Sequence, residues 1–362
     1  MDQLKRRRVL SLLGGTILAP GAAAADDGPV DLAALRRMAA RLAVGTANIH
    51  SVLVAQGGRL VFERYFSGPD EIHDRRVRDT VFDAGTLHDM KSVSKAIASL
   101  CVGVALDRGL IASVDQPLLG FFPEYADLHS PDNDRLTLAH ALTMSIGRRW
   151  VEPTPATGND DNDEARMNRA RDSCRYVLGL PVVAPPGKEF FYNTGALAFV
   201  SAIIRKVTGK HLDEFAREVL FDPLGIAAWE WKRVKGETDA GGGLRLRPRD
   251  MIVLGQLVLN GGTWNGRQVV SKAWIDASTA KHLAASDGYD YGYLWWLRSS
   301  PHGGRRVSWR AALGRGGQSI RIVPDLDLVV AVTAGYYQDY SRRAFDEQFA
   351  VFRDVLDAVP PV

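Results

Sequence analysis

Apolar residues Leu32, Leu35, Met38 and Leu42 recur at helical spacing, which predicts a helix over residues 31–43. Two β-like runs follow, 51–55 and 60–66, and Gln56-Gly57-Gly58 between them signals a hairpin. Residues 93–106 are apolar around the whole helical circumference, the mark of a fully buried helix, and Gly109 supplies a stop just beyond it. Helical patterns over 136–144, 197–207 and 248–260 run through a middle section otherwise rich in loops. Strand patterns return at 293–297, 307–310, 319–323 and 328–334, and a helix over 341–356 closes the chain. Strands at both ends around a helical middle predict an α+β fold. Its antiparallel sheet is assembled from residues 26–112 and 290–362, flanked by helices, with 113–289 inserted as an all-α subdomain.

The first 25 residues stand apart. Lys5, Arg6, Arg7 and Arg8 precede an apolar run over residues 9–19 and an alanine tract from Ala22 to Ala25. That is the layout of a secretory signal, too short to span a bilayer, with paired arginines that resemble a twin-arginine signal. The expected location is therefore exported, periplasmic or secreted, without a stable membrane anchor. This segment carries the whole formal charge of +3, so the remaining chain is neutral. A neutral chain has no net pull toward nucleic acid. At 362 residues, 46% hydrophobic and 24% charged, the composition is that of a globular enzyme with a sizeable core. Of two cysteines, Cys101 falls in the buried helix and reads as a small hydrophobe rather than half of a disulfide.

The chemistry sits where that helix begins. Ser92-Val93-Ser94-Lys95 places a lysine amine one turn from a serine hydroxyl, on the same face. A serine alcohol becomes a nucleophile when a neighbouring base takes its proton, and a buried amine serves when its pKa is depressed. The helix N-terminus adds a backbone N–H and a positive dipole end for an oxyanion. The spacing alone says little, because roughly one S-x-x-K is expected by chance in a chain of this length. Ser278-Thr279-Ala280-Lys281 matches it too, but no buried helix follows.

The segment from Thr86 to Lys95, continuing to Gly109-Leu110-Ile111 and Phe121-Phe122-Pro123-Glu124-Tyr125, resembles the serine β-lactamase and penicillin-binding protein superfamily. Within it the likeness is to the class C-like branch that includes 6-aminohexanoate-dimer hydrolases and related esterases. The resemblance implies a β-lactamase/transpeptidase-like fold. Tyr192-Asn193-Thr194 resembles the Y-x-N element of that branch, which makes Tyr192 the implied catalytic tyrosine. A phenol near cationic side chains is expected to ionise in part and to shuttle protons to the leaving group. Thr194 departs from the usual Asn and cannot present an amide's donor and acceptor together. Arg315-Gly316-Gly317-Gln318 resembles the K-T-G element, with Arg315 in the lysine position. By that likeness the Gln318 N–H completes the oxyanion hole with Ser92, while Thr194, Arg315, Gly316 and Gly317 meet the substrate.

The expected function is acyl-enzyme hydrolysis of small esters or amides by Ser92, Lys95 and Tyr192, with no cofactor. The competing readings are a β-lactamase or D-alanyl-D-alanine carboxypeptidase, and, in another class, a non-catalytic sensor of peptidoglycan fragments. Asp160, Asp161, Asp163 and Glu164 read as a solvated loop, and Tyr293, Trp295 and Trp296 as sheet core. There is no H-E-x-x-H, no paired histidine spacing for zinc and no G-x-S-x-G, so no metal site and no α/β-hydrolase elbow is expected.

Overall fold

The computed structural model describes residues 30–152 and 161–361. The signal-like segment and Asp160 lie outside the described residues. Helix α1 (Leu32–Val44) leads into strands β1 (Ile49–Gln56) and β2 (Arg59–Tyr65), then the hairpin β3 (Ser67–Ile72) and β4 (Arg75–Val81). Strand β5 (His88–Asp89) runs into the buried helix α2 (Val93–Asp107). The middle of the chain carries α3 (Asp163–Arg169), α4 (Ala196–Thr208), strands β6 (Trp229–Trp231) and β7 (Leu244–Leu246), and α5 (Pro248–Leu259). Strands β8 (Leu283–Ala284), β9 (Asp290–Tyr291), β10 (Trp296–His302), β11 (Arg305–Gly314), β12 (Gln318–Val323) and β13 (Leu328–Ala334) follow, and α6 (Arg343–Asp357) closes the chain.

The main sheet has the order β8-β9-β10-β11-β12-β13-β1-β2. The two ends of the chain meet toward one side of it, where β1, next to the edge strand β2, pairs antiparallel with β13 from Ser51 opposite Thr333 to Gln56 opposite Leu328. Alternate side chains enter different cores. Val52 and Val54 pack with α1 and α6, whereas Leu53 and Ala55 pack with α2, α4 and α5. With both faces covered, β13 is buried throughout and reads as an unbroken apolar run. The architecture is β-lactamase/transpeptidase-like, helices around a main antiparallel sheet, as the resemblance implies, but the inserted segment is not all-α: it carries β6 and β7, and its β8 joins the main sheet.

Two differences from the expected elements have clear causes. The helix expected over 136–144 spans only Leu138–Leu142, because Met144 turns left-handed at φ 56°. The strand expected over 293–297 is interrupted: Leu294 adopts φ 69° and donates its N–H to Leu142 O, while the Tyr293 N–H goes to Ser278 O. Cys101 and Cys174 are both buried and free.

Candidate active site

Ser92 is the N-cap of α2, and the residue before it, Lys91, lies in the left-handed region at φ 47°. A non-glycine residue there is strained, and its surroundings hold it in place. Lys91 Nζ reaches Glu71 at 2.9 Å, Asp74 at 3.0 Å and Asp89 at 3.3 Å. Arg245 grips Asp89 from the other side at 2.8 Å. The Ser94 hydroxyl donates to Lys91 O at 2.6 Å and accepts from the Leu244 N–H at 3.2 Å, tying β7 to the start of the helix. The nucleophile candidate therefore sits on a buttressed turn.

Lys95 is 2% exposed. Its Nζ lies 2.9 Å from Ser92 Oγ, donates to Gly241 O at 2.7 Å, and stands 5.0 Å from the Tyr192 ring centroid. Burial pushes its pKa down, against the upward pull of Glu152, Glu164 and Asp239, and Arg315 adds to the lowering. Burial and the nearby Glu152 carboxylate raise the Tyr192 pKa well above the ordinary phenol value, against a smaller lowering from the neighbouring Ser92. This corrects the expected partial ionisation. The environment is carboxylate-rich, so the phenol stays protonated at neutral pH.

A cavity of ≈ 290 Å³ opens on Ser92, with Glu152, Glu164, Asp239, Thr194 and Arg315 in its wall. A neighbouring cavity of ≈ 300 Å³ shares Thr194, Asp239 and Gly241 with it but lacks Ser92. Of the acidic stretch read as a solvated loop, Asp161 is exposed, but the residues after it are structural. Asn162 and Asp163 are fully buried, Asp163 accepts from Val151 N–H and Tyr176 OH, and α3 carries Glu164 into the cavity. Burial raises the Glu164 pKa to about 7, with Glu152 and Asp239 adding to the shift. Asp239 accepts from the Gly241 and Gly242 N–H groups at 3.0 and 3.1 Å, which shapes the loop whose carbonyl holds Lys95.

The residues carried over from the Y-x-N and K-T-G elements are differently disposed. Thr194 lines the cavity with its hydrogen bonds already committed to the protein: its hydroxyl donates to Glu152 Oε1 at 2.7 Å and its N–H to Oε2 at 3.1 Å. Arg315 lines the cavity, with its guanidinium 3.1 Å from the Tyr340 hydroxyl and over that ring. Gly316 and Gly317 (φ 87° and 96°) form the β11–β12 turn, and neither is in the described cavity wall. A Cβ on Gly316 would fall 2.6 Å from the Tyr337 ring, and one on Gly317 2.8 Å from Ala334 Cβ, so protein packing explains both. Gln318 is fully buried across the hairpin from Gly314, and its amide exchanges hydrogen bonds with the Ala334 backbone. The backbone that passes Ser92 is the end of β11. A Cβ on Gly314 would come within 2.3 Å of Met90 O and 3.3 Å of Ser92 N.

Glu152, Asp239 and Gly241 were not singled out in the sequence. The one available signal was Asp239 just ahead of Gly241-Gly242-Gly243, a turn-forming pattern. The alternative serine is inert by geometry: Ser278 Oγ donates to Ile275 O at 3.2 Å, and Lys281 pairs with Asp290 at 2.8 Å.

A buried helix that presents serine and lysine in hydrogen-bond contact, beside a tyrosine and under an antiparallel sheet, defines a serine hydrolase of the penicillin-recognising fold. The chain belongs to the Beta-lactamase family, whose model matches residues 36–351. It is similar to the 6-aminohexanoate-dimer hydrolase of Paenarthrobacter ureafaciens, 24% identical over 339 residues that cover 85% of this chain and 78% of that one. The lovastatin esterase of Penicillium rubens is 29% identical over 193 residues, 48% of this chain and 46% of the esterase. Among solved structures, a class C β-lactamase from Rhodobacter sphaeroides shares the fold, with TM-score 0.64 at 18% identity, covering 89% of this chain and 98% of that one.

Proposed function

We propose that the protein hydrolyses small esters or amides through an acyl-enzyme on Ser92. The observation that carries this reading is the 2.9 Å contact between Ser92 Oγ and a fully buried Lys95 whose pKa is depressed. With one N–H donated to Gly241 O, Lys95 in its deprotonated form, which burial favours, points its lone pair at the serine and accepts its proton as Ser92 attacks the carbonyl carbon. The Ser92 N–H at the head of α2 faces the developing oxyanion, and the Gly314–Arg315 backbone beside it is the better-placed source of a second donor than Gln318. Tyr192, held neutral, donates its proton to the leaving group as the acyl bond to it breaks and regains one from the Lys95 ammonium, so the serine's proton departs with the leaving group and Lys95 is neutral again. Water then attacks the acyl-enzyme, its proton returns through Lys95, and Ser92 is freed.

The wall around Ser92 carries the carboxylates Glu152, Glu164 and Asp239, which disfavours substrates with an anionic group at that end and suits neutral or amine-bearing ones. The names of the two curated relatives, an amide hydrolase and an esterase, are in line with this substrate range. Arg315 in the same wall favours a second reading, a β-lactamase or D-alanyl-D-alanine carboxypeptidase, since a guanidinium can hold a substrate carboxylate. Export of the mature chain after the alanine tract belongs to the same proposal and rests on the basic and apolar pattern of residues 1–25. A hydrolysis panel separates the substrates: p-nitrophenyl esters, a 6-aminohexanoate dimer, a chromogenic cephalosporin and a D-Ala-D-Ala peptide. Turnover of the ester or linear amide above the other two is expected. Cephalosporin or D-Ala-D-Ala turnover above both would replace this reading with the second.

A further inference from the structure

Behind the Ser92 turn, three segments far apart in the sequence bring ligand-bearing side chains together out of water. His50 on β1 and His88 on β5 are fully buried, and Asp70 on β3 is 6% exposed. His50 Nδ1 lies 3.4 Å from His88 Nδ1 and 3.7 Å from Asp70 Oδ1, and one donor atom from each residue lies within 4.8 Å of the others.

The protons of the two imidazoles do not by themselves account for this arrangement. The Pro69 carbonyl can only accept, so the 3.0 Å contact from His50 Nε2 places the proton there and leaves a lone pair on Nδ1. His88 Nδ1 can offer that lone pair one proton, at a separation longer than an ordinary N–H bond distance. Asp70 Oδ1 then faces the same lone pair with no hydrogen-bond donor of its own. The charges leave the same remainder. Glu71 is bound by Lys91, and Asp89 by Lys91 and Arg245, whereas Asp70 has no cation of that group within ion-pair distance. The Glu71 N–H reaches the Asp70 carboxylate, but Oδ1 is left without a donor, and a buried carboxylate oxygen so placed is costly.

We propose that His50, Asp70 and His88 form a buried structural site for a divalent transition metal of the zinc class, joining β1, the β3–β4 hairpin and the strand that leads into Ser92. Tetrahedral zinc with bonds of about 2.0–2.2 Å places neighbouring ligand atoms about 3.4 Å apart, close to the 3.4 and 3.7 Å that separate His50 Nδ1 from His88 Nδ1 and Asp70 Oδ1. Two imidazoles and one carboxylate are a zinc-type donor set, with the fourth position left for water or the second Asp70 oxygen. The outer contact is also present: a metal-bound histidine usually donates its other N–H to a carbonyl or carboxylate, as His50 does to Pro69. Gly335 permits that contact, since a Cβ there would stand 2.4 Å from His50 Nε2 and 2.3 Å from Pro69 O. The ligands lie outside the described wall of the Ser92 cavity, and the metal takes no part in acyl transfer. It fixes the approach to the strained Lys91 turn.

The competing account is packing alone, with His50 stacked on Phe82 at 3.8 Å. The test uses untagged protein expressed with zinc, and separately with cobalt, in the medium. Expected are about one equivalent of zinc per chain by elemental analysis and the visible bands of tetrahedral Co²⁺. Asp70→Asn and His88→Gln, each checked for folding by circular dichroism, should fall below about a tenth of an equivalent. A strong chelator should lower the melting temperature of wild type and leave that of Asp70→Asn unchanged. Wild type without stoichiometric metal, or metal retained in both variants, overturns the proposal.

Discussion

Replacing Thr194 by valine separates two roles for the residue, because the shape is nearly kept and only the hydroxyl is lost. In the structure that hydroxyl donates to Glu152 Oε1 at 2.7 Å, while Glu152 Oε2 accepts from Trp150 Nε1 at 2.7 Å and from the Thr194 N–H at 3.1 Å. A hydrogen bond to a charged group contributes about 1.5–3 kcal/mol to stability. Two donors still hold the carboxylate after the substitution, so the lower part of that range applies, about 1.5–2 kcal/mol. Urea denaturation followed by circular dichroism reads the loss as a lower midpoint at unchanged slope. Glu152 is the first-ranked charge acting on Lys95, so a loosened Glu152 changes kcat more than KM on a p-nitrophenyl ester. A variant as stable as wild type, with KM raised and kcat intact, would refute the reasoning and return Thr194 to substrate contact.

Three further outcomes follow from the same geometry. Ser278→Ala should leave ester turnover within about twofold of wild type, because a buried hydroxyl bonded to Ile275 O has no base; a collapse of kcat would contradict this. Burial lifts the Glu164 pKa from its ordinary value to about 7, so the folded chain binds more protons than the unfolded one across that window. Glu164 therefore costs stability progressively as pH rises toward 7, and Glu164→Gln should gain stability over wild type across that interval in melting temperatures read against pH, whereas a constant difference would contradict it. Gly314→Ala places a Cβ 2.3 Å from Met90 O, backbone against backbone, and the resulting shift of β11 should slow acylation by about 10²-fold in a folded protein; an unchanged acylation rate would show that β11 does not set the site.

The sheet was legible where burial on both faces wrote itself into composition, as in β1 and β13. The β3–β4 hairpin was not, because it is short, polar and turned by His73 and Asp74 at positive φ, a conformation more often signalled by glycine. Ser92 and Lys95 could be read from one helical turn, since their spacing is local. Glu152, Glu164 and Asp239 meet only through the tertiary fold, so no spacing joins them. Glu164 shows the limit well: a run of acids reads as solvated unless one knows that α3 buries one side and aims the other at Ser92. Gln318 marks a second limit. The motif points to the hairpin, but which backbone faces Ser92 depends on strand register, which pairs Gly314 with Gln318 and brings a Cβ on Gly314 within 3.3 Å of Ser92 N.

The central claim is that Ser92, activated by Lys95, is the nucleophile. Intact-mass analysis after a fluorophosphonate probe tests it most directly, on wild type, Ser92→Ala and Lys95→Ala. The account predicts one adduct on wild type, mapped to Ser92, none on Ser92→Ala, and labelling of Lys95→Ala slowed by at least about 10²-fold. An adduct that persists on Ser92→Ala, or Lys95→Ala labelling at the wild-type rate, would contradict it.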